Sequence, residues 1–406
     1  MVKRELYLQR IRPFYHSEMV KVLTGIRRCG KSTLMRQIME EIRQDPMQDE
    51  SRILYINFED YKYHDLYNPD KFYEYVEAKL CDDGRYYLFF DEIQNVDKFE
   101  LVINSFRAVH EASIFITGSN SKLLSGELAT HLSGRTISFR IMPFCFAEFL
   151  EFKKQEKSTL TKTQLLAEYM DWGGLPLVCK AGDEASRAVV LSNIYDSVVL
   201  KDIIMRNKVA SPVVLEKVLE YLIANSSLTL SGSKIAGALA EENHKVSVPT
   251  VYDYIRYITE ACICDKIPRY DIRGKKILSF EEKAYVCDLG FFHMKKNRVK
   301  DEYNYIVETI CYNELIARGY QVYIGKTYRG EVDFIAQKNR EKFYLQAAYL
   351  MSDEHVIQRE FGAYDSISDN YPKYVVSMDS MAIERDGIIH KNLIDFLLEG
   401  VQHEKN

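Results

Sequence analysis

Short apolar runs alternate with amphipathic stretches along the first third of the chain. Between the first two runs, Leu34, Ile38 and Ile42 recur at the spacing of one helix face. Four runs have the length of a buried strand: 19–24, 52–58, 86–90 and 113–117. Alternating strands and helices predict an α/β fold, with a parallel sheet covered by helices on both faces.

A glycine-rich loop follows the first apolar run. Residues 25–32 read Gly-Ile-Arg-Arg-Cys-Gly-Lys-Ser and fit the pattern G-x-x-x-x-G-K-[ST]. Its glycines allow the backbone N–H groups to turn inward around phosphates, beside the positive end of the next helix. Lys31 would reach the β- and γ-phosphates, and the Ser32 hydroxyl would coordinate Mg²⁺. The predicted nucleotide site comprises Gly25, Ile26, Arg27, Arg28, Cys29, Gly30, Lys31, Ser32 and Thr33.

Two acidic residues follow the third apolar run. The end of a buried parallel strand would bring Asp91 beside the glycine-rich loop, where it can hold Mg²⁺ through water. Glu92 would then be the base that orients and polarises the attacking water. The two motifs together predict a site that binds and hydrolyses Mg-ATP.

Polar residues also end the fourth run. Thr117, Ser119 and Asn120 stand at the same predicted edge, where one could contact the γ-phosphate or the lytic water. Asn120 is counted among the nucleotide-binding candidates, and a simple polar turn is the alternative. Arg135 is a candidate catalytic arginine finger, in cis or from a neighbouring subunit, or else a surface arginine. Action from a neighbour would require a homo-oligomer.

Composition limits the function only loosely. The chain has 406 residues, enough for two or three domains, and its formal net charge of -5 provides no general basic field for nucleic acid. Its eight cysteines are scattered, which argues against zinc, and Cys29 in the loop fits a reducing compartment. Without a signal-peptide core or a membrane-length apolar stretch, we expect a cytoplasmic protein with no membrane partner.

The middle of the chain has a helical pattern, interrupted by Gly-Gly-Leu-Pro at 173–176. Apolar positions between 212 and 258 predict three helices, two of them at helix-turn-helix spacing, and 263–278 predicts a hairpin. This order is that of a winged helix. DNA contact through the third helix and the basic hairpin is one hypothesis. A packing or interaction module is the alternative, favoured by the negative net charge and by Asp253 on the outward helix face.

The last hundred residues predict a helix over 303–318 and strands at 320–324, 330–336 and 342–348. This order resembles the PD-(D/E)xK nuclease superfamily, in which two acids and a lysine bind Mg²⁺ and activate water. The resemblance matches Asp333 to the metal-binding acid and Glu308 to a glutamate on the preceding helix. Gln346 stands where the second acid or a glutamine would be. Ala348 stands where the lysine is expected. We therefore expect a retained fold used for docking or assembly, without nuclease activity.

Five segments in order, 25–32, 90–94, 117–120, 134–135 and 143–149, resemble the prokaryotic AAA+-type ATPases that carry a conserved C-terminal domain of unknown function. The resemblance implies ATP and Mg²⁺ as cofactors. It also implies a P-loop ATPase domain at 1–160, a helical linker and winged helix at 161–285, and a restriction-endonuclease-like domain at 286–406. The main hypothesis is an ATP-driven switch or motor. An ATP-regulated DNA-binding protein and an interaction scaffold are the alternatives, and the sequence identifies no client protein.

Overall fold

The computed structural model describes residues 1–45, 49–80, 84–120, 132, 134–293, 302–328, 330–351, 353–381 and 383–399. The chain divides into two compact units. The first comprises Met1–Ile141 with Glu260–Cys262, and the second comprises Met142–Thr259 with Ile263–Asn406. Within the described ranges, no helix has the combination of length and apolar character that crossing a bilayer requires.

The first unit contains a parallel sheet in the order β2-β3-β4-β1-β5. Its strands are β1 Val20–Thr24, β2 Ile53–Asn57, β3 Tyr86–Asp91, β4 Ala112–Gly118 and β5 Thr136–Arg140. The α-helices of this unit are Glu5–Ile11, Lys31–Arg43, Pro69–Glu77 and Phe99–Val109, and short 3-10 turns lie at Arg12–Phe14, Glu50–Arg52, Tyr61–Tyr67 and Ile93–Asn95. The predicted parallel α/β sheet is confirmed.

Aromatic side chains fill the core on one side of this sheet. The Phe72 ring packs edge-on against the rings of Phe58, Phe90 and Phe106, with centroid distances of 5.3, 5.0 and 5.9 Å. Every residue of β1, β3 and β4 is buried, as expected for central strands that are covered on both faces. The core therefore lies directly beneath the ends of the strands that carry the predicted site.

The second unit contains a mixed sheet in the order β12-β13-β11-β10-β9-β8-β6-β7. Its strands are β6 Cys264–Asp271, β7 Lys276–Val286, β8 Gln321–Lys326, β9 Glu331–Lys338, β10 Glu341–Ala347, β11 Lys373–Ser377, β12 Glu384–Arg385 and β13 Ile388–Asn392. Its α-helices are Phe146–Gln155, Lys162–Trp172, Pro176–Lys180, Glu184–Ser197, Pro212–Ala224, Gly232–Glu241, Val248–Glu260, Gly290–His293, Glu302–Ala317, Glu354–Gly362 and Leu393–Leu398, with a π-helix at Val198–Ile204.

The predicted hairpin is an integral part of this second sheet. Strands β6 and β7 pair antiparallel, and β6 also pairs in parallel with β8, where Arg269 lies opposite Ile324. The hairpin therefore continues the sheet formed by β8, β9 and β10. The sequence-based limit between residues 285 and 286 falls at the last residue of β7, within a continuous sheet.

The Gly-Gly-Leu-Pro interruption surrounds a buried carboxylate. The Gly174 N–H donates to Asp288 Oδ2 at 2.8 Å, and the Gly290 N–H donates to Oδ1 at 2.9 Å. Burial raises the pKa of the Asp288 carboxyl to about 7, against the opposing effect of these N–H groups. At Gly173, where φ is +72°, a Cβ atom would lie 2.0 Å from Asp288 Oδ1. Only glycine fits this backbone conformation and this close approach.

We predict that Gly173→Ala destabilises the protein by about 2–5 kcal/mol, because a left-handed backbone and an overlap with Asp288 act together. Gly182→Ala is the matched control, since a Cβ at Gly182 meets no atom within 4 Å. Chemical denaturation of both variants measures the difference. Equal stability of the two variants would show that the packing around Asp288 does not restrict Gly173.

Candidate nucleotide-binding site

The glycine-rich loop connects the end of β1 to the helix Lys31–Arg43. The loop passes so close to the main chain of Ile141 that a Cβ on Gly25 would lie 2.2 Å from the Ile141 carbonyl oxygen. Arg28 takes a left-handed conformation with φ of 67°, which is uncommon for a residue with a side chain. The loop is therefore tight, as is typical of a phosphate site.

Lys31 lies at the centre of the loop and is only 4 % exposed. Its Nζ donates to the carbonyl oxygens of Gly25 at 3.0 Å and Ile26 at 3.2 Å, and lies 3.7 Å from Glu92 Oε1. Burial by itself lowers the pKa of the ammonium, but the nearby acidic groups Cys29 and Glu92 raise it above its usual value. The loop thus holds a buried positive charge.

The Thr117 hydroxyl connects the two predicted acids. It donates to Asp91 Oδ1 at 2.5 Å and accepts the Glu92 backbone N–H at 2.9 Å. Tyr55 donates its hydroxyl to Asp91 Oδ2 at 2.9 Å, so the carboxylate is held from both neighbouring strands. Among the three polar candidates at the end of β4, Thr117 makes this contact. Tyr55 carries no sequence signal beyond its place in an apolar run.

Glu92 stands immediately after β3 in a left-handed conformation, with φ of 55°. Its Oε2 accepts a hydrogen bond of 2.5 Å from Gln94 Nε2, while its Oε1 faces Lys31. The other amide atom of Gln94, Oε1, is buried and has no hydrogen-bond partner among the described residues. Gln94 therefore holds the carboxylate of the predicted base, a role that sequence reasoning did not assign.

Arg4 is a second residue that sequence reasoning missed. The side chain is 1 % exposed, and its guanidinium NH1 donates to the carbonyl oxygen of Cys29 in the loop at 3.0 Å. Gln37 accepts the Arg4 backbone N–H at 3.0 Å and donates to the Val2 carbonyl at 2.7 Å. The first residues of the chain are thereby attached to the loop and to the helix that follows it. No motif marks Arg4 in the sequence.

The remaining loop residues differ in exposure. Ser32 and Thr33 are half-buried in the first turn of the helix that follows Gly30. Arg27 NH1 pairs with Glu59 Oε1 at 2.8 Å, whereas Arg28 is exposed. Across the described part of the chain, no three or more His, Cys, Asp and Glu side chains are arranged to hold a metal ion. A site of one hydroxyl and one carboxylate, Ser32 and Asp91, fits Mg²⁺, which usually keeps several of its waters.

The structure separates Arg135 from this site but keeps Asn120 near it. Thr24 pairs with Gly118, so the buried Asn120 follows β4 at the same sheet edge as the loop. Arg135 precedes β5 at the opposite edge, where its carbonyl accepts the Val20 N–H at 2.9 Å. The five residues of β1 separate these two ends of the strands by about 15 Å. The predicted action of Arg135 in cis is therefore wrong, and action from a neighbouring subunit stays a prediction.

The acids predicted in the C-terminal part of the chain line one cavity of about 720 Å³. Gln346 Oε1 accepts the Asp333 N–H at 3.1 Å, and Asp333 Oδ2 accepts the Ala347 N–H at 2.9 Å. Burial raises the pKa of the Asp333 carboxyl well above its usual range, and the charge of Glu308 adds to this. Ala348 contributes no charge, but Lys283 of β7 reaches the cavity. Sequence reasoning missed Lys283, since it is distant along the chain.

The third predicted helix, Val248–Glu260, and the β6–β7 hairpin carry basic residues that are only partly paired with acids. Arg256 pairs with Asp253 at 3.0 Å, and Lys266 pairs with Glu282 at 2.8 Å. Three basic residues at the hairpin tip are exposed: Arg273, Lys275 and Lys276.

Comparisons with known proteins identify the class of domain in the first unit, independently of its geometry. A family model described as "AAA domain" matches residues 17–150, and one described as a domain of unknown function matches residues 163–302. An uncharacterized protein of Haemophilus influenzae is 35% identical over 98% of this chain and 99% of its own length. An uncharacterized protein of Methanocaldococcus jannaschii is 32% identical over 85% of this chain and 78% of its own length.

Among solved structures, the Walker-type ATPase of Pyrococcus abyssi superposes with a TM-score of 0.51 at 13% identity, covering 72% of this chain and 95% of that chain. At this identity the likeness describes the fold alone. With the phosphate loop and the acid pair of β3, these matches define an AAA+-type P-loop ATPase. The chain belongs to the family of such ATPases whose AAA domain is followed by a domain of unknown function.

We predict that Thr117→Val, which keeps the side-chain shape, costs about 2–4 kcal/mol of unfolding free energy. The Asp91 carboxylate and the Glu92 N–H would both lose a buried partner. Thr117→Ser retains the hydroxyl and is the matched control. Denaturant titration compares the two variants, and a loss in Thr117→Val no larger than that in Thr117→Ser would contradict the prediction.

Proposed function

We propose that the first unit binds Mg-ATP and hydrolyses it to ADP and phosphate. The observation that carries this proposal is the contact of Thr117 with both Asp91 and Glu92, beside the buried ammonium of Lys31. An acid for the metal, an acid for the water and a cation for the phosphates are the groups that phosphoryl transfer to water requires. Family membership agrees with ATP as the ligand.

Each side chain would have a separate task. Lys31 would exchange the carbonyls of Gly25 and Ile26 for phosphate oxygens, which carry full negative charge and bind an ammonium more strongly. Ser32 and Asp91 would hold Mg²⁺, and the bound ion would neutralise charge on the phosphates. The Tyr55 and Thr117 hydroxyls would orient Asp91 and keep one geometry for the metal.

Glu92 would act as the base for the attacking water. The water oxygen forms a bond to the γ-phosphorus, the bond from that phosphorus to the bridging oxygen of ADP breaks, and Glu92 accepts the water proton. In the present structure, Gln94 and Lys31 both engage this carboxylate. When Lys31 turns to the phosphates, Glu92 would lose one partner and become available to the water. ATP binding would thus prepare the base.

Hydrolysis would switch the arrangement of the second unit. We assign to that unit a winged helix in its three helices and hairpin, and a nuclease-like fold in β8–β11 with their helices. The order of the elements supports these assignments.

Steady-state ATP turnover tests the proposal. Glu92→Gln should keep ATP affinity and lose turnover by about 100-fold or more, because the amide cannot accept the proton. Lys31→Ala should lose ATP binding itself. Lys62→Ala and Glu151→Gln change the same residue types at exposed positions and should retain wild-type turnover. Normal turnover in Glu92→Gln would exclude Glu92 as the base, and normal ATP affinity in Lys31→Ala would exclude the loop.

DNA binding by the second unit is a second candidate function. The three exposed basic residues at the tip of the β6–β7 hairpin favour it, since they have no acidic partner in the described structure. They could contact three phosphates, each of which contributes about -0.9 to the slope of log affinity against log salt.

For this candidate, replacing Arg273, Lys275 and Lys276 by Gln should flatten the salt slope by about 2–3 in a fluorescence-polarisation titration of duplex DNA. Lys154, Lys157 and Lys162 replaced by Gln form a control of equal charge. Absence of DNA binding at low salt, or an equal effect of both triple variants, would contradict this function.

A further inference from the structure

Arg4 places a buried guanidinium directly against the phosphate loop. Its NH1 donates to the Cys29 carbonyl oxygen at 3.0 Å, and a Cβ on Gly30 would lie 3.2 Å from the same nitrogen. Both contacts lie at the peptide unit that joins Cys29 to Gly30. Arg4 is only 1 % exposed, so solvent and salt screen its charge weakly. A positive charge therefore lies on the carbonyl side of the loop.

The Cys29–Gly30 peptide unit connects this charge to the interior of the loop. In a trans peptide unit, the carbonyl oxygen and the N–H group point in opposite directions. Because Arg4 holds the oxygen, the Gly30 N–H points to the other side, and the N–H groups of such a loop bind phosphates. A hydrogen bond to the oxygen polarises the peptide unit and makes its N–H a stronger donor.

Hydrogen bonds to the helix that follows the loop hold Arg4 in this position. The Arg4 backbone N–H donates to Gln37 Oε1 at 3.0 Å, and Gln37 Nε2 donates to the Val2 carbonyl oxygen at 2.7 Å. The Arg4 carbonyl oxygen accepts the N–H groups of Tyr7 and Leu8, each at 3.0 Å. The guanidinium also lies over the Tyr7 ring, 4.8 Å from its centroid. Arg4 is thus in place before a ligand binds, which reduces the ordering cost of binding.

Glu41 attaches the same N-terminal segment further along that helix. Its Oε1 lies 3.2 Å from Lys3 Nζ and 2.7 Å from Arg12 NH2, and its Oε2 accepts the Tyr15 hydroxyl at 2.9 Å. The Arg12 guanidinium lowers the pKa of the Glu41 carboxyl to about 2, so this carboxylate is charged at neutral pH. Residues on both sides of Arg4 are therefore tied to one helix, and Arg4 can leave the loop only if several contacts break.

The arginines within the loop have different surroundings. Arg27 pairs with Glu59 at 2.8 Å, and Arg28 is exposed. A neighbouring acid weakens the field of the first, and water weakens the field of the second. Arg4 is instead enclosed by the protein and contacts the loop backbone itself.

We propose that Arg4 is a positioning residue of the nucleotide site, which strengthens the binding of a nucleotide's phosphates through the Cys29–Gly30 peptide unit. This inference rests on the proposed function, since it requires that the loop binds a nucleoside diphosphate or triphosphate. Lys31 faces the phosphates directly, whereas Arg4 acts from the carbonyl side of the loop. Because Arg4 favours the ground state and the transition state alike, it lowers KM and leaves kcat unchanged.

Isothermal titration of the full-length chain with ADP and with inorganic pyrophosphate tests the proposal. Arg4→Met retains an apolar side chain without the charge, and it should weaken the binding of both ligands by about 10-fold. Arg4→Lys keeps the charge but not the guanidinium geometry, and it should lose only about 3-fold. Arg10→Met is the matched control, because Arg10 packs over the same Tyr7 ring, at 5.9 Å, and over Phe139. It should bind both ligands as the wild type does.

Steady-state ATP turnover separates this role from a loss of folding. Arg4→Met should raise KM by the same factor and keep kcat, whereas partial unfolding would lower kcat at an unchanged KM. Unchanged affinity in Arg4→Met, or in Arg4→Lys if Arg4→Met does not fold, would overturn the inference. A loss for ADP without a loss for pyrophosphate would also overturn it, since Arg4 would then act on the base or the ribose.

The two proposals fail in different ways. A wild-type chain whose ADP binding depends on Arg4 but which does not hydrolyse ATP would contradict only the proposed hydrolysis. Normal turnover together with wild-type KM and affinity in both Arg4 variants would contradict only the role of Arg4.

Discussion

The parallel pairing of β1, β3 and β4 is the constraint on which the candidate site depends. Parallel strands present their carboxyl ends at one edge of a sheet. Thr24 pairs with Gly118, and Phe90 pairs with Ile116, so the loop, the two acids and Thr117 meet there. A shift in the pairing of β3 with β4 would remove the Thr117 hydroxyl from Asp91. The aromatic core around Phe72, on one side of the sheet, stabilises this pairing of β3 with β4.

Buried ionisable side chains are a feature that the two units share. Lys31, Asp288 and Lys283 are all removed from water, and each is surrounded by specific partners rather than by apolar side chains alone. Such groups are costly to bury, and they restrict the neighbouring backbone to few arrangements. In the first unit the partners of Lys31 are carbonyls and an acid that ATP could replace. In the second unit, Lys283 pairs with the carboxylates of Glu308 and Glu331.

The family relation supports the class of protein, whereas the geometry of the site supports the proposed hydrolysis. The relatives in Haemophilus influenzae and Methanocaldococcus jannaschii are themselves uncharacterized, so they establish the family without naming an activity. The proposal of hydrolysis is instead supported by the contacts of Asp91 and Glu92. Likewise, Arg135 belongs to a segment that resembles the family, yet its position at the far sheet edge excludes it from its own loop.

The sequence alone determined the features that depend on neighbours along the chain. Apolar runs predicted four of the five strands of the first sheet, and β5 was not predicted. Residues 25–32 and 91–92 predicted the phosphate loop and the acid pair, because local pattern and backbone chemistry suffice for these. Tertiary structure alone revealed Arg4 and Tyr55 around the loop, the choice of Thr117, and Lys283 in the acidic cavity. These contacts join residues that are far apart along the chain. Their positions follow from strand order and packing, which no local pattern encodes.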